Sequence, residues 1–201
     1  KEELLRHVPA ARHCQIAELA AILHFCGHYR LEPMGKLTAA GRGGGSGREK
    51  EVVQNAEKSA QNTLKLFIQA ENEAVIRKCF TLLKKTFNIN TSVNESFSKK
   101  IAGRSSSCSI LLEDSEEIRQ VLQATKFMDG EGRLYDLREP VSALIVKNAC
   151  CQRAFLRGAF LAAGSMSDPE KSYHLEIVCT NSGTDLLYSA SFSGGSENRT
   201  A

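Results

Sequence analysis

The stretch HCQIAELAAILHFCGHY (His13–Tyr29) returns late in the chain as CCQRAFLRGAFLAAGSM (Cys150–Met166), and no other feature constrains the fold as much. At a constant offset of 137 positions Cys14 falls on Cys151, Gln15 on Gln152, Ala17 on Ala154, Leu19 on Leu156 and Gly27 on Gly164. A repeat of this length is one supersecondary unit used twice and packed against its copy. In the first copy Ile16, Leu19, Ile22 and Leu23 recur at helical spacing and supply an apolar face. Ala17 and Ala21, like Ala154 and Gly158 in the second copy, are small residues four apart on one helical face. Small side chains at that period let two backbones approach closely. Gly27 and Gly164 follow the last helical residue, where a left-handed C-cap is expected. Any amphipathic core helix can show Ala and Gly at such spacing; the duplication weighs against that simpler reading.

The nine-residue segments LAAILHFCG (Leu19–Gly27) and LRGAFLAAG (Leu156–Gly164) resemble, without gaps, the LAGLIDADG helix of homing endonucleases. The resemblance implies two such helices side by side along a pseudo-twofold axis. It also implies where nuclease chemistry would sit, because the eighth motif position of a cleaving enzyme is an acid that holds a divalent metal. Here those positions are Cys26 and Ala163, and the sixth positions are His24 and Leu161. Alanine offers no ligand atom, and an uncharged thiol is a poor ligand for magnesium. No catalytic residue is therefore assigned, no cofactor is expected, and the chain reads as a non-enzyme.

The run FLRGAFLAAGSMSDPEKSYHLEI (Phe155–Ile177) is very similar to the second motif of the WhiA family of bacterial sporulation and cell-division regulators. KEELLRH (Lys1–His7), CCQRA (Cys150–Ala154) and YHLEIV (Tyr173–Val178) support the same resemblance, which covers most of residues 1–181 and is strongest over 147–181. In that family a degenerate homing-endonuclease domain precedes a C-terminal helix-turn-helix domain. The implied fold class is α+β, a LAGLIDADG homing-endonuclease-like pseudo-twofold duplication with an incomplete second repeat. The first repeat is placed at 1–130 and the second, truncated, at 131–201, with the helix-turn-helix domain expected outside this chain.

Within the first repeat, the Gly-rich and then polar text between Gly35 and Asn62 cannot bury enough surface to offset chain entropy, so residues 35–62 read as an exposed insertion. The repeat itself measures it: Leu66, Ile68 and Asn72 match Leu175, Ile177 and Asn181 at an offset of 109, which is 28 fewer than for the helices. The remaining pattern predicts helices over 2–8, 14–26, 72–87 and 114–125, a strand over 63–70, and a hairpin of INTSVNESF and SSSCSILLE turning through SKKIAGR. After Pro140, Leu144–Ala163 reads as one long helix.

No apolar run approaches the length required to cross a bilayer, and no charged-then-apolar leader is present, so a cytoplasmic, nucleoid-associated protein without membrane contact is expected. Seven cysteines without framework spacing suit free thiols in a reducing compartment. His13, Cys14, His24, Cys26 and His28, with Cys150 and Cys151 brought near by pseudo-symmetry, form a conceivable zinc cluster. There is no CxxC pair and the spacing is not that of a finger, so packed or solvated side chains are the expected state and no metal is assigned. No fixed His or acid partner marks any of these cysteines as a nucleophile.

The resemblance places DNA against the sheet. Residues 62–113 carry eight Lys or Arg against four Glu, in a chain whose formal net charge is only +3. Asn90, Ser92 and Asn94 alternate with Ile89 and Val93, which predicts a polar face for the groove, with Lys99, Lys100 and Arg104 at the hairpin tip and Lys65 on the neighbouring strand for phosphates. Such alternation is also what any half-exposed antiparallel sheet shows, and +3 is far from a strongly basic footprint. The leading expectation is a non-catalytic DNA-binding regulatory domain that binds DNA weakly or through the missing helix-turn-helix domain, with a protein partner from the transcription machinery. The alternatives are a protein-interaction scaffold without DNA contact and, disfavoured by the lost acids, an active nuclease.

Overall fold

The first helix stops at Arg6, three residues before Pro9, and the next one passes into a strand without a connecting loop. In the computed structural model, which describes residues 1–33, 62–91, 93–100, 103–167 and 175–178, α1 (Glu2–Arg6) is followed by α2 (Arg12–Cys26) and β1 (Gly27–Pro33). Then come β2 (Asn62–Ala70), α3 (Glu73–Phe87), β3 (Val93–Lys100), β4 (Gly103–Leu112) and α4 (Ser115–Ala124). The second copy contributes α5 (Ala149–Ala163), β5 (Gly164–Met166) and β6 (Leu175–Ile177). The first four strands form an antiparallel sheet in the order β1-β2-β4-β3, and β5 pairs antiparallel with β6. The architecture is α+β.

Local chemistry sets the helix ends. Asn72 accepts a hydrogen bond from the Ala74 amide and caps α3, while Asn88 closes it in the left-handed region at φ 60. Asp114 accepts from the amides of Glu116 and Glu117 and caps α4. In the sheet, Leu64, Leu66 and Ile68 of β2 and Cys108, Ile110 and Leu112 of β4 turn inward. The register sets Leu66 opposite Leu112 and Ile68 opposite Ile110, so one face is apolar throughout. Helix α3 packs Val75, Ile76, Cys79, Leu82 and Leu83 into the same core.

Helix α2 is central. Ala17 and every residue from Leu19 to Leu23 have no solvent exposure, as expected of a helix surrounded by protein on all sides. Its buried polar residues are satisfied: Gln15 donates to the Pro9 carbonyl at 2.7 Å and accepts from the Thr86 hydroxyl at 3.0 Å. Among the described residues no buried side-chain nitrogen or oxygen lacks a partner.

Several expectations need correction. Gly27 and Gly164 are not left-handed caps; both have extended backbones, with φ of −90 and −86. Glycine is needed there for space instead, since a Cβ on Gly27 would come within 2.5 Å of the Leu23 carbonyl oxygen, and one on Gly164 within 2.1 Å of the Phe160 ring. Each glycine opens a strand, β1 and β5, directly after its helix. The long helix from Leu144 does not form. A turn closed by the Ile145 amide on the Ser142 carbonyl leaves Leu144 68% exposed, and extended Asn148 delays the helix to Ala149. The first helix ends at Arg6 rather than at residue 8. The hairpin is shifted along the chain: Lys99 and Lys100 belong to β3, paired with Arg104 and Gly103 of β4.

Candidate nucleic-acid interface and the helix pair beneath it

Helices α2 and α5 lie side by side and run in the same direction, because Cys14 meets Cys151 near their starts and Glu18 meets Gly158 further along. Ala17, Ala21, Ala154 and Gly158 are all buried, and a Cβ on Gly158 would lie 2.5 Å from the Glu18 carbonyl oxygen and 2.9 Å from Ala21 Cβ. The helices thus touch backbone to side chain with no room for one more carbon. At this contact the Glu18 carboxylate is wholly buried and is held by Arg157 and Lys78.

The far end of each helix is where a nuclease of this type would hold its metal. Cys26 closes α2 with a thiol that burial pushes up to about 11, so it stays protonated near neutrality. His24 is buried with Nδ1 2.8 Å from the Leu137 carbonyl oxygen, and desolvation holds its pKa below the ordinary histidine value. With His28, Gln69 and Arg138 these residues line a cavity of about 430 Å³ whose lining contains no carboxylate. Asp136 and Glu139 are the acids whose fields reach this neighbourhood, at His24 and Tyr29, and they come from the loop after α4 rather than from either motif. Ala163 closes α5 without a ligand atom in its side chain, and its carbonyl accepts from the Val178 amide at 3.2 Å. Neutral imidazole and neutral thiol do not make a magnesium site.

The outward face of the four-stranded sheet is built by the residues that alternate with the core positions. His28 of β1 stacks on Phe67 of β2, with ring centroids 5.0 Å apart and planes 4° apart, and the Arg30 guanidinium lies over the same ring at 5.4 Å. Gln69 donates to the Ser107 hydroxyl at 3.1 Å. Lys65 sits between Glu32 at 3.1 Å and Glu113 at 3.0 Å, so the cation expected to meet phosphate is already flanked by two carboxylates.

The other sequence-predicted groove residues fare differently. Asn90 is exposed but precedes β3 instead of lying in it, next to buried Ile89. Ser92 lies outside the described residues. The backbone of Asn94 pairs with that of Ser109 in β3-β4, and near the hairpin end Lys99 pairs with Arg104 and Lys100 with Gly103, while the side chains of Asn94, Lys99, Lys100 and Arg104 lie outside the described residues. Sequence reasoning missed His28 and Arg30. The alternation of His28, Arg30 and Glu32 with Tyr29 and Leu31 was the period-two signal that could have revealed them.

The conceivable zinc cluster divides in two. His24, Cys26 and His28 gather at the C-terminal end of α2, whereas His13, Cys14, Cys150 and Cys151 converge at the N-terminal ends of α2 and α5. The two groups are separated by most of the helix length, about 20 Å at 1.5 Å per residue. No helix among the described residues is long and apolar enough to cross a membrane.

Comparisons with known proteins find WhiA relatives and, among solved structures, also a homing endonuclease. The model of the WhiA LAGLIDADG-like domain matches residues 152–187. A probable cell division protein WhiA of Lachnoclostridium phytofermentans is 41% identical over 179 residues, covering 89% of this chain and 48% of that protein. Its counterpart in Heliobacterium modesticaldum is 35% identical over 178 residues, covering 89% of this chain and 46% of that protein. The chain thus spans about half the length of the curated relatives it matches. Among solved structures, the N-terminal LAGLIDADG domain of DUF199/WhiA is similar at 21% identity and a TM-score of 0.47, covering 88% of this chain and 62% of that one. I-DmoI in complex with its target DNA is similar at 10% identity and a TM-score of 0.43, covering 77% of this chain and 64% of that one.

Proposed function

This chain belongs to the WhiA family as a LAGLIDADG-like domain, and from that premise we propose that it is a non-catalytic DNA-binding regulatory domain of a bacterial regulator of sporulation and cell division. The observation that carries the reading is the chemistry at the feet of the paired helices. Cys26 and Ala163 close the two helices where the resemblance to cleaving enzymes would have acids, and His24 is buried against the Leu137 carbonyl, which supports a reading without metal-dependent cleavage. The sheet offers a stacking platform, His28 and Arg30 on Phe67, beside the polar pair Gln69 and Ser107, a mixture suited to sugar, phosphate and base edges. Lys99, Lys100 and Arg104 stand at the end of the same sheet in the strand order, where charges would position a duplex.

The scaffold reading has one specific observation in its favour. Glu32 and Glu113 offset Lys65, so the β1-β2 part of the face is locally near neutrality and would suit a polar protein surface as well as DNA. Fluorescence anisotropy of the full chain with a labelled duplex, titrated with salt, separates the two. Binding that weakens linearly on log–log axes supports the DNA reading, and absence of binding at low salt transfers the face to a protein partner such as one from the transcription machinery. Incubation with plasmid and Mg²⁺ is expected to leave the DNA intact; specific double-strand cleavage would overturn the non-catalytic assignment.

A further inference from the structure

His13 and Cys14 are the second and third residues of α2, and Cys150 and Cys151 hold the same two places in α5. Side-by-side, co-directional helices bring their first turns to the same end, and there these four side chains converge. One ligand atom from each of the four residues lies within 4.8 Å of all the others. His13 Nδ1 is 3.2 Å from Cys151 Sγ and 3.3 Å from Cys14 Sγ. Cys14 and Cys151 are buried, whereas His13 and Cys150 face solvent, so the group is half sunk and open to an entering ion.

Three thiols and an imidazole have little reason to converge for packing alone, because a thiol is only a weak donor and acceptor. The first turns of both helices bring partial positive charge to the same place, which favours anionic sulfur there. Zinc binds sulfur at about 2.3 Å in a tetrahedron, which sets the sulfur atoms about 3.8 Å apart, so small rotamer changes would close the observed cluster on an ion. Soft donors select zinc over magnesium or calcium.

We propose that His13, Cys14, Cys150 and Cys151 form a structural Zn²⁺ site that clamps the N-terminal ends of α2 and α5. Binding releases three thiol protons to solvent and involves no change of oxidation state. The site does not depend on whether the sheet binds DNA.

The test uses the whole chain, purified under reducing conditions, stripped with a chelator and titrated with Co²⁺ alone. One Co²⁺ per chain is expected, with the strong d–d absorption of a tetrahedral ion, a thiolate-to-cobalt charge-transfer band, and bleaching of both by one equivalent of Zn²⁺. Cys151→Ser is expected to weaken binding by more than the roughly 100-fold that altering an outer-shell partner costs. Because Cys151 is buried, Cys150→Ser and His13→Ala at exposed positions repeat the measurement, with far-UV circular dichroism checking that the fold is intact. Loss of the charge-transfer band or of affinity in these folded variants supports the site. An octahedral spectrum, no uptake at micromolar Co²⁺, affinity unchanged by the exposed substitutions, or a disulfide among these thiols that persists in the reduced protein would each overturn it.

Discussion

Arg157 grips Glu18 with two hydrogen bonds across the α2–α5 interface, Nε to Oε1 at 3.1 Å and Nη2 to Oε2 at 2.9 Å. Lys78 of α3 adds a third contact, Nζ to Oε1 at 3.2 Å, and also donates to the carbonyls of Leu4, Leu5 and His7. One buried carboxylate thereby ties together α1, α2, α3 and α5. In the repeat the counterpart of Glu18 is Phe155, so this junction breaks the internal symmetry of the chain.

The two partners of the pair are not equivalent. Glu18→Gln leaves Arg157 and Lys78 facing each other without an anion and is expected to cost about 3–5 kcal/mol. Arg157→Met leaves Glu18 paired with Lys78, and Arg157 is already 13% exposed, so a smaller loss is expected. Urea denaturation of both variants checks the ranking, and equal losses would contradict it.

Gly158→Ala should destabilise the protein although alanine is the better helix former by about 1 kcal/mol. The added carbon meets the Glu18 carbonyl and Ala21 Cβ, and neither is the far end of a flexible chain, so an overpacking cost of about 1–3 kcal/mol is expected to prevail. Exposed Leu156→Ala on the same helix, measured by thermal unfolding alongside it, is expected to change little.

Acid should weaken the fold through His24. Burial lowers its folded-state pKa below the unfolded value of 6.5, so below that pH the unfolded chain takes up a proton that the native protein refuses. Stability is therefore full above 6.5 and falls as pH drops below it towards the depressed pKa; His28, lowered chiefly by desolvation, acts in the same direction. Urea midpoints measured from pH 7.5 down to 5.5 are expected to decline, and less steeply in His24→Gln.

DNA affinity should respond to charge at two places in opposite senses. If Lys99, Lys100 and Arg104 each neutralise one phosphate, they contribute a log–log salt slope of about −2.7, which the triple alanine variant removes on every sequence tested. Glu32→Gln combined with Glu113→Gln releases Lys65 from both partners and is expected to tighten binding and steepen the slope by about 0.9. Anisotropy titrations on the same duplex measure both, and an unchanged slope in either variant contradicts the assigned contact.

Much of the frame was legible because it rests on local pattern. The helices over 72–87 and 114–125 and the strand over 63–70 are written in neighbouring residues, and the structure moves only their ends, with Asn72 and Asp114 serving as caps. What escaped depends on partners distant in sequence. Gly27 and Gly164 carry the composition of a helix stop, and only the carbonyl of Leu23 and the ring of Phe160 reveal that they open strands. The apolar text of residues 144–148 looked helical, yet a turn and an extended Asn148 interrupt it. At the candidate site, the identity of Cys26 and Ala163 was readable, but the stacking of His28 on Phe67 and the double pairing of Lys65 required the sheet register. The division of the Cys and His residues into two groups required the parallel course of two helices whose starts lie 137 positions apart.

The direct passage from α2 into β1 and from α5 into β5 removes slack between the helix pair and the strands it feeds. A loop would absorb a small change in how the helices cross; a single glycine on each side transmits it. The contact of Gly158 with Glu18 and Ala21 therefore works as a gauge block, setting how far apart the first strands of the two repeats begin. A residue that touches no ligand can thus fix the span over which a bound surface must fit.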